Sequence, residues 1–316
     1  MTAPNTTISI AAIERDTGLS KDTLRVWERR YGFPQPERDA FGERAYSHLD
    51  LEKLRVIRRL MDTGHRPGRL VELPMAELLS LGVSTTAKAD PDQTVPSGET
   101  QNHLDLIQAH DIEGLRRSLG QAHMRMGLQG FVMNLIAPLN VRVGQAWACG
   151  ELDIFKEHLY TECVQSLLRN AIYSIPPPER SSRPRVMLTT FPKEAHGLGL
   201  LMAETLFALQ GCACLSLGTQ TPVPDIARAA AAYNADIVAL SFTASINANV
   251  AFAALIELRQ TLPESIEIWA GGNCPSLQRR NPPRVQKIGT LAEIKTQIEA
   301  WRATHPFTEA PEEHPT

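Results

Sequence analysis

The chain has 316 residues, with 32 basic and 35 acidic side chains and a net charge of −3. That length exceeds one ordinary hydrophobic core and predicts two or three domains. Hydrophobic residues at 43% suffice for packed cores, and aromatic residues at 6% argue against an aromatic-lined sheet for nucleic acid. No run of about 18 apolar residues predicts a membrane span, and the start MTAPNTTISI lacks the basic-then-apolar order of a secretory signal. The five cysteines (Cys149, Cys163, Cys212, Cys214, Cys274) have no CxxC spacing. A disulfide framework or zinc site is not expected, and a reducing cytoplasm fits. Taken whole, the charge balance speaks mildly against a nucleic-acid partner.

Taken in segments, it does not. Ile8–Asp16 reads as a short helix ended by Gly18. Ser20 is placed to cap the next helix, Ser20–Tyr31, which sets Leu24 and Trp27 on one face and Arg25 and Arg29 on another. Helix, glycine turn and helix make a helix-turn-helix. Arg38–Ser47 follows as a basic segment around Gly42, suited to a hairpin wing, and Asp50–Thr63 is a third, arginine-rich helix. Residues 21–69 hold 12 Lys or Arg against 8 Asp or Glu, a local balance of +4. Such a face can dock on phosphates, although a solvated charged surface would carry the same balance. The runs Thr23–Gly32 (TLRVWERRYG), Arg38 and Gly42–Ser47 (GERAYS) resemble the MerR family of winged-helix regulators. The resemblance spans about residues 7–70. It implies Arg25 and Arg29 in the major groove, with Arg30 beside them, phosphates held by Tyr31, Arg38, Arg44 and Tyr46, and dimers on two-fold operator sites in double-stranded DNA.

Residues 82–101 (GVSTTAKADPDQTVPSGETQ) have almost no apolar anchor and read as a flexible linker. A weaker break lies in the proline cluster at 174–184. The expected organisation is a winged-helix head at 1–80, a linker at 81–101, a four-helix bundle at 102–178, an α/β domain at 183–304 and a disordered tail at 305–316. The bundle helices are expected at 103–108, 110–119, 123–146 and 151–172. Within the bundle lie Trp147 and the pair Glu157-His158. With the fourth starting near Glu151, Ile154 and His158 share a face. By themselves, Trp147 could as well be bundle core and Glu157-His158 solvated.

The last third alternates strands (185–190, 212–217, 236–241, 266–270, 285–288) with helices (199–210, 224–234, 249–262, 291–303). That pattern predicts a parallel, Rossmann-like sheet of the flavodoxin type, which binds ligands outside its carboxyl strand ends. There stand Glu194, His196, Gly199, Thr221, Ser241, Ser245, Gly271 and Gly272. The set suits a large ligand with a polar fringe and close backbone approach. A lone loop histidine is more often a surface residue, and a lone glycine more often a turn.

Together these residues resemble the cobalamin-binding domain family, through Glu194-Ala-His196-Gly-Leu-Gly199 and the later Ser241 and Gly271-Gly272. That resemblance implies that His196 ligates cobalt from below, that Glu194 bonds its other ring nitrogen, and that Ser241, Ser245 and the glycines house the nucleotide tail. Trp147, nine residues, then Glu157-His158 also resembles the CarH/LitR-type light-responsive repressors, which join the same three parts in the same order. This wider resemblance implies a repressor rather than an enzyme. Its cofactor is adenosylcobalamin, with the adenosyl group under Trp147 and Glu157. A dark tetramer or dimer binds the operator and falls apart in light. Where that family has a histidine directly after the tryptophan, this chain has Ala148, which leaves His158 as the candidate upper ligand after light. A cobalamin regulator blind to light and a corrinoid enzyme subunit are the competing readings, and the winged head argues against the second.

Overall fold

The structure, a computed structural model, describes residues 7–39, 41–62, 64–86, 98–179, 182–244, 246–274, 277 and 282–305. Ser245 and the expected tail beyond residue 305 lie outside them. By its own contacts the chain forms two compact units: Met1–Ala122 with Asn134–Glu162, and His123–Met133 with Cys163–Thr316.

The first unit opens with the winged head. Strand β1 (Ile8–Ser9) precedes α1 (Ile10–Thr17), so the first helix starts two residues later than its periodicity suggests. The Ser9 hydroxyl caps it by accepting from Ala12 N–H at 3.3 Å. Gly18 then turns the chain with φ 68°, a conformation that suits glycine. Ser20 caps α2 (Lys21–Tyr31), accepting from Thr23 N–H at 3.1 Å. Strands β2 (Glu37–Arg38) and β3 (Arg44–Tyr46) form the wing, in a three-stranded antiparallel sheet of order β1-β3-β2. Helix α3 (His48–Asp62) follows, started by Ser47 and Asp50 bonding each other reciprocally, then α4 (Pro67–Leu70) and α5 (Met75–Thr86). Ile13, Leu24, Trp27, Tyr46, Leu54, Ile57 and Leu60 form the core that these elements share. Burying each large apolar side chain there stabilises the head by roughly 1.5–3 kcal/mol. A bidentate Arg55–Asp16 pair (2.7 and 2.6 Å) fastens α3 to α1.

Helix α5 continues through Thr86, and α6 (Gly98–Gln108) begins before residue 101. The expected linker is therefore shorter at both ends, because polar residues can extend a helix whose other turns are packed. Helix α7 (Ile112–Gly130) runs straight through Gly120, where the sequence suggests a break. The break comes at Gly127, with φ 69° and ψ 165°. Both glycines tolerate a helix, but only Gly127 adopts the non-helical angles. A π-helical stretch, Phe131–Ile136, leads into α8 (Ala137–Ala148), and α9 (Ile154–Tyr173) starts at Ile154 rather than near Glu151.

The second unit is built on five parallel strands: β4 (Arg185–Thr189), β5 (Ala213–Ser216), β6 (Ile237–Phe242), β7 (Glu267–Gly272) and β8 (Val285–Ile288). Their order is β5-β4-β6-β7-β8. Helices α10 (Leu198–Leu209), α11 (Val223–Tyr233), α12 (Ala248–Thr261) and α13 (Glu293–Thr304) connect or follow them. Met187, Leu188, Val238, Leu240 and Ile268 are buried in near-continuous apolar runs, as a sheet covered on both faces requires. Chain order reverses between β4 and β6, so the ligand crevice belongs outside the carboxyl ends of that pair.

Candidate functional site

At that crevice the loop after β4 turns Glu194 inward. Its carboxylate is 0% exposed, yet four donors reach it. Oε1 accepts from His196 N–H (3.1 Å) and from His196 Nδ1 (2.7 Å). Oε2 accepts from Thr243 N–H (2.8 Å) and from the Thr243 hydroxyl (2.7 Å). Burial pushes the Glu194 carboxyl up, but the bonds from His196 and Thr243 outweigh it and hold the group below its ordinary value. The His196 ring is 57% exposed at the mouth. Since Glu194 takes Nδ1, Nε2 is the nitrogen left to ligate.

Neighbouring loops build the rim. The hydroxyl and carbonyl of Thr190 lock them together: its Oγ1 accepts from Gln220 N–H (2.8 Å), and its carbonyl accepts from Thr221 N–H (2.9 Å). The Thr221 hydroxyl meets that of Thr189 at 2.7 Å. A Cβ added at Gly199 would stand 3.4 Å from Ser241 Oγ, so the first turn of α10 and the end of β6 approach closely. Gly271 and Gly272 are the last residues of β7, paired with Ser241 and Phe242. Gly272 has φ 106°, and a Cβ there would run into the Phe242 carbonyl, so glycine is required. The carboxyl ends of the strands thus carry Glu194, His196, Gly199, Thr221, Ser241, Gly271 and Gly272. Thr243, which completes the carboxylate's bonds, is the member that the motif reading misses.

These residues fit a corrinoid. A half-open imidazole, oriented by a buried carboxylate, is the donor set for a single axial metal bond. Among the described residues no group of three or more His, Cys, Asp or Glu could hold a bare ion, so the histidine suits a metal that brings its other ligands with it.

In the first unit, Trp147 lies half-buried in the last turn of α8, with Ala148 buried beside it. Glu157 and His158 stand one turn into α9. Glu157 Oε1 accepts from the Thr161 hydroxyl at 2.7 Å, and Oε2 lies 3.7 Å from His158 Nε2. His158 is 69% exposed. Ile154 shares its face, as expected, and Ile154, Phe155 and Leu159 are all exposed.

The head presents a second surface. Arg25, Arg29 and Arg30 are exposed on α2, and Arg25, Val26, Arg29 and Arg44 line one shallow concavity with Asp22. Arg29 and Arg30 form no ion pair among the described residues, whereas Arg25 pairs with Asp22 at 3.3 Å. Arg44 is held by Glu28 at 2.8 Å. Tyr31 is partly buried, and its hydroxyl leans on α4 within 3.1 Å of a Cβ placed at Gly68. Arg38 NH1 donates to the Gly42 carbonyl (2.8 Å), and Asp39 Oδ1 accepts from Phe41 and Glu43 N–H (2.9 and 2.8 Å), which stiffens the wing. Phe41 stands out from its tip, 91% exposed, a feature hidden in a motif read for its charges. Tyr46 must be corrected. It is 0% exposed in the head core and its hydroxyl has no partner among the described residues, so it cannot hold a phosphate. Its ring fills the core because β3 turns that side chain inward.

Known proteins share these parts. The family described as MerR HTH family regulatory protein matches residues 8–73, and two described as B12 binding domains match residues 184–290 and 101–171. The chain is 30% identical over 257 residues to the HTH-type transcriptional repressor CarH of Myxococcus xanthus, covering 81% of this chain and 85% of that one. It is 29% identical over 271 residues to the repressor CarA of the same organism, covering 84% and 87%. The monomethylamine corrinoid protein of Methanosarcina barkeri superposes with a TM-score of 0.50 at 14% identity, over 63% of this chain and 96% of that one, a likeness of fold alone. No helix among the described residues is long and apolar enough to cross a membrane. A DNA-reading head and B12-binding segments in one polypeptide, with identity to CarH along most of both chains, place this chain among the CarH-type cobalamin-binding transcriptional repressors, as a regulator and not an enzyme.

Proposed function

We propose that this repressor takes cobalamin in its adenosyl form, binds operator DNA as a dimer or tetramer in the dark, and releases it on illumination. The observation that carries this reading is the placement of Trp147, Glu157 and His158. The three sit on consecutive helices, beside an apolar face (Ile154, Phe155, Leu159) exposed enough to need cover. When bound, adenosylcobalamin supplies a cobalt–carbon bond that light can break. His196 would hold the cobalt through Nε2, and Glu194, by keeping the proton on Nδ1, would make Nε2 a better donor. Ser241 and Ser245 would bond the nucleotide tail, and Gly199, Gly271 and Gly272 would allow it close backbone approach. Trp147 and Glu157 would hold the adenosyl group, and His158 would be the imidazole on hand to replace it. Losing the oligomer removes linked head–operator contacts, so DNA affinity can fall by ~10²–10⁴ without any change in the heads. The same reading puts the protein in the cytoplasm, with its DNA and in a compartment that keeps cysteines reduced.

The test loads the protein with adenosylcobalamin in darkness and follows absorption, size and DNA binding before and after green light. The DNA is a duplex selected from a random library by the dark protein. A changed spectrum with smaller particles and weaker DNA binding supports the proposal. A changed spectrum with unchanged size and DNA binding overturns the light switch. A second reading, cobalamin sensing without light, is favoured by one residue: Ala148 cannot ligate a metal where the family resemblance implies histidine. Methylcobalamin supporting DNA binding as well as adenosylcobalamin does would select it.

A further inference from the structure

We infer that Arg59, on α3 of the DNA-reading head, clamps the Cys149–Asp153 loop between Trp147 and Glu157 and thereby passes the state of the cofactor pocket to the head. The inference rests on the reading of Trp147 and Glu157 as cofactor-facing, and goes beyond it by naming the connection.

All of the parts lie in the first compact unit. Arg59 sits one turn beyond Arg55, which is locked to Asp16 on α1. The Arg59 guanidinium lies against the backbone of Gly150, so closely that a Cβ on Gly150 would stand 2.7 Å from NH1. Gly150 has φ 78°, so both its conformation and its neighbour call for glycine. Burial is the main influence lowering the Arg59 pKa and Arg55 adds to it, while Asp153 and Asp16 act in the opposite direction. A half-buried cation balanced in this way tolerates little displacement of its counter-charges. A second contact supports the first: Cys149 Sγ lies 3.9 Å from the Leu79 carbonyl on α5, and α3 and α5 both pack against α8.

The loop is short and tightly tethered at both ends. Gly150 N–H donates to the Trp147 carbonyl (3.0 Å), and Glu151 and Leu152 N–H donate to Ala146 (2.8 and 3.1 Å). On the far side, the Asp153 carbonyl accepts from Lys156 and Glu157 N–H (3.0 and 3.3 Å). A shift of Trp147 or Glu157 therefore moves the backbone on which Arg59 rests. Packed contacts of this kind have discrete arrangements rather than a continuum. The head then has two orientations, and the pocket biases the choice between them.

The experiment measures DNA affinity in darkness with and without adenosylcobalamin, for the full chain and for Arg59→Ala, Gly150→Ala and Asp153→Asn. The duplex is the one selected by the dark protein. Compared at equal oligomeric state, the expected wild-type ratio lies in the range typical of coupled sites, about 5–150-fold. In the variants it shrinks towards unity, while spectroscopic titration gives unchanged cofactor affinity. Hydrogen exchange at residues 149–153 and in α3 of the cofactor-free protein rises in Arg59→Ala. Variants that keep the wild-type ratio and exchange overturn the clamp alone. A wild-type ratio of unity overturns the clamp together with the cofactor-switch reading. Asp153→Asn, nearly isosteric, decides the matter if Gly150→Ala fails to fold.

Discussion

The arginine face of the head and the histidine crevice of the sheet are both built to meet charge, and they are built in opposite ways. Arg29 and Arg30 stand in solvent without an ion-pair partner among the described residues, Arg30 lying over the Tyr31 ring, because DNA brings the counter-charge and the released ions supply much of the affinity. Glu194 is wholly buried and already has all its donors, because its partner is a ring that must point one way before the cofactor arrives. A long-range electrostatic surface can stay loose, whereas a single directed metal bond needs orientation in advance.

That contrast can be broken where it is sharpest. His196→Ala should abolish histidine-ligated cobalamin; an unaltered cobalamin spectrum in the mutant would refute the ligand assignment. Glu194→Gln, which keeps the shape but loses the charge, should weaken cofactor capture by about 10–100-fold in a spectroscopic titration. Glu194 also carries a pH signature. Its folded pKa lies below the ordinary value of 4.5, so its contribution to stability is complete above that value and is lost as pH falls through the folded pKa. Denaturation midpoints measured down the acid range should show this loss in the wild type and less of it in Glu194→Gln.

The open face should yield smaller, more even effects. Arg29→Ala should cost about 1–3 kcal/mol against the selected duplex and relax preference at one base position, read by binding to single-base variants. Arg38→Ala should lower affinity for all sequences and reduce the salt slope by about 1. Arg44→Ala should do the same but by less, since Glu28 already neutralises part of its charge. If Arg44→Ala has the larger salt effect, the ion pair opens on DNA. Smaller still, Ser20→Ala should cost about 1 kcal/mol of head stability in thermal unfolding, through the lost cap.

How much of this the residues announce depends on the distance over which each signal acts. Ser20 and Gly18 declare the turn of the head because caps act within three residues. The strands of the sheet declare themselves through unbroken apolar runs such as RVMLT. Glu194 and His196 are two residues apart and form a readable motif. Thr243 is 49 residues from Glu194, and no local pattern connects them. Tyr46 is implied as a phosphate ligand by the winged-helix resemblance, but burial is decided by β3 and its neighbours. The expected break falls at Gly120, yet Gly127 is the glycine that adopts non-helical angles.

The division of the chain has a practical consequence for anyone who wishes to take the protein apart. The polypeptide crosses between its two compact units at Ala122–His123, at Met133–Asn134 and at Glu162–Cys163. A fragment that begins at the sheet, or even at Cys163, leaves His123–Met133 behind. One that stops at Glu162 carries that segment without its companions. Neither compact unit can be excised whole by a single cut, because the helical stretch between head and sheet is divided between the two units, although the head (8–73) and the sheet domain (184–290) are each continuous.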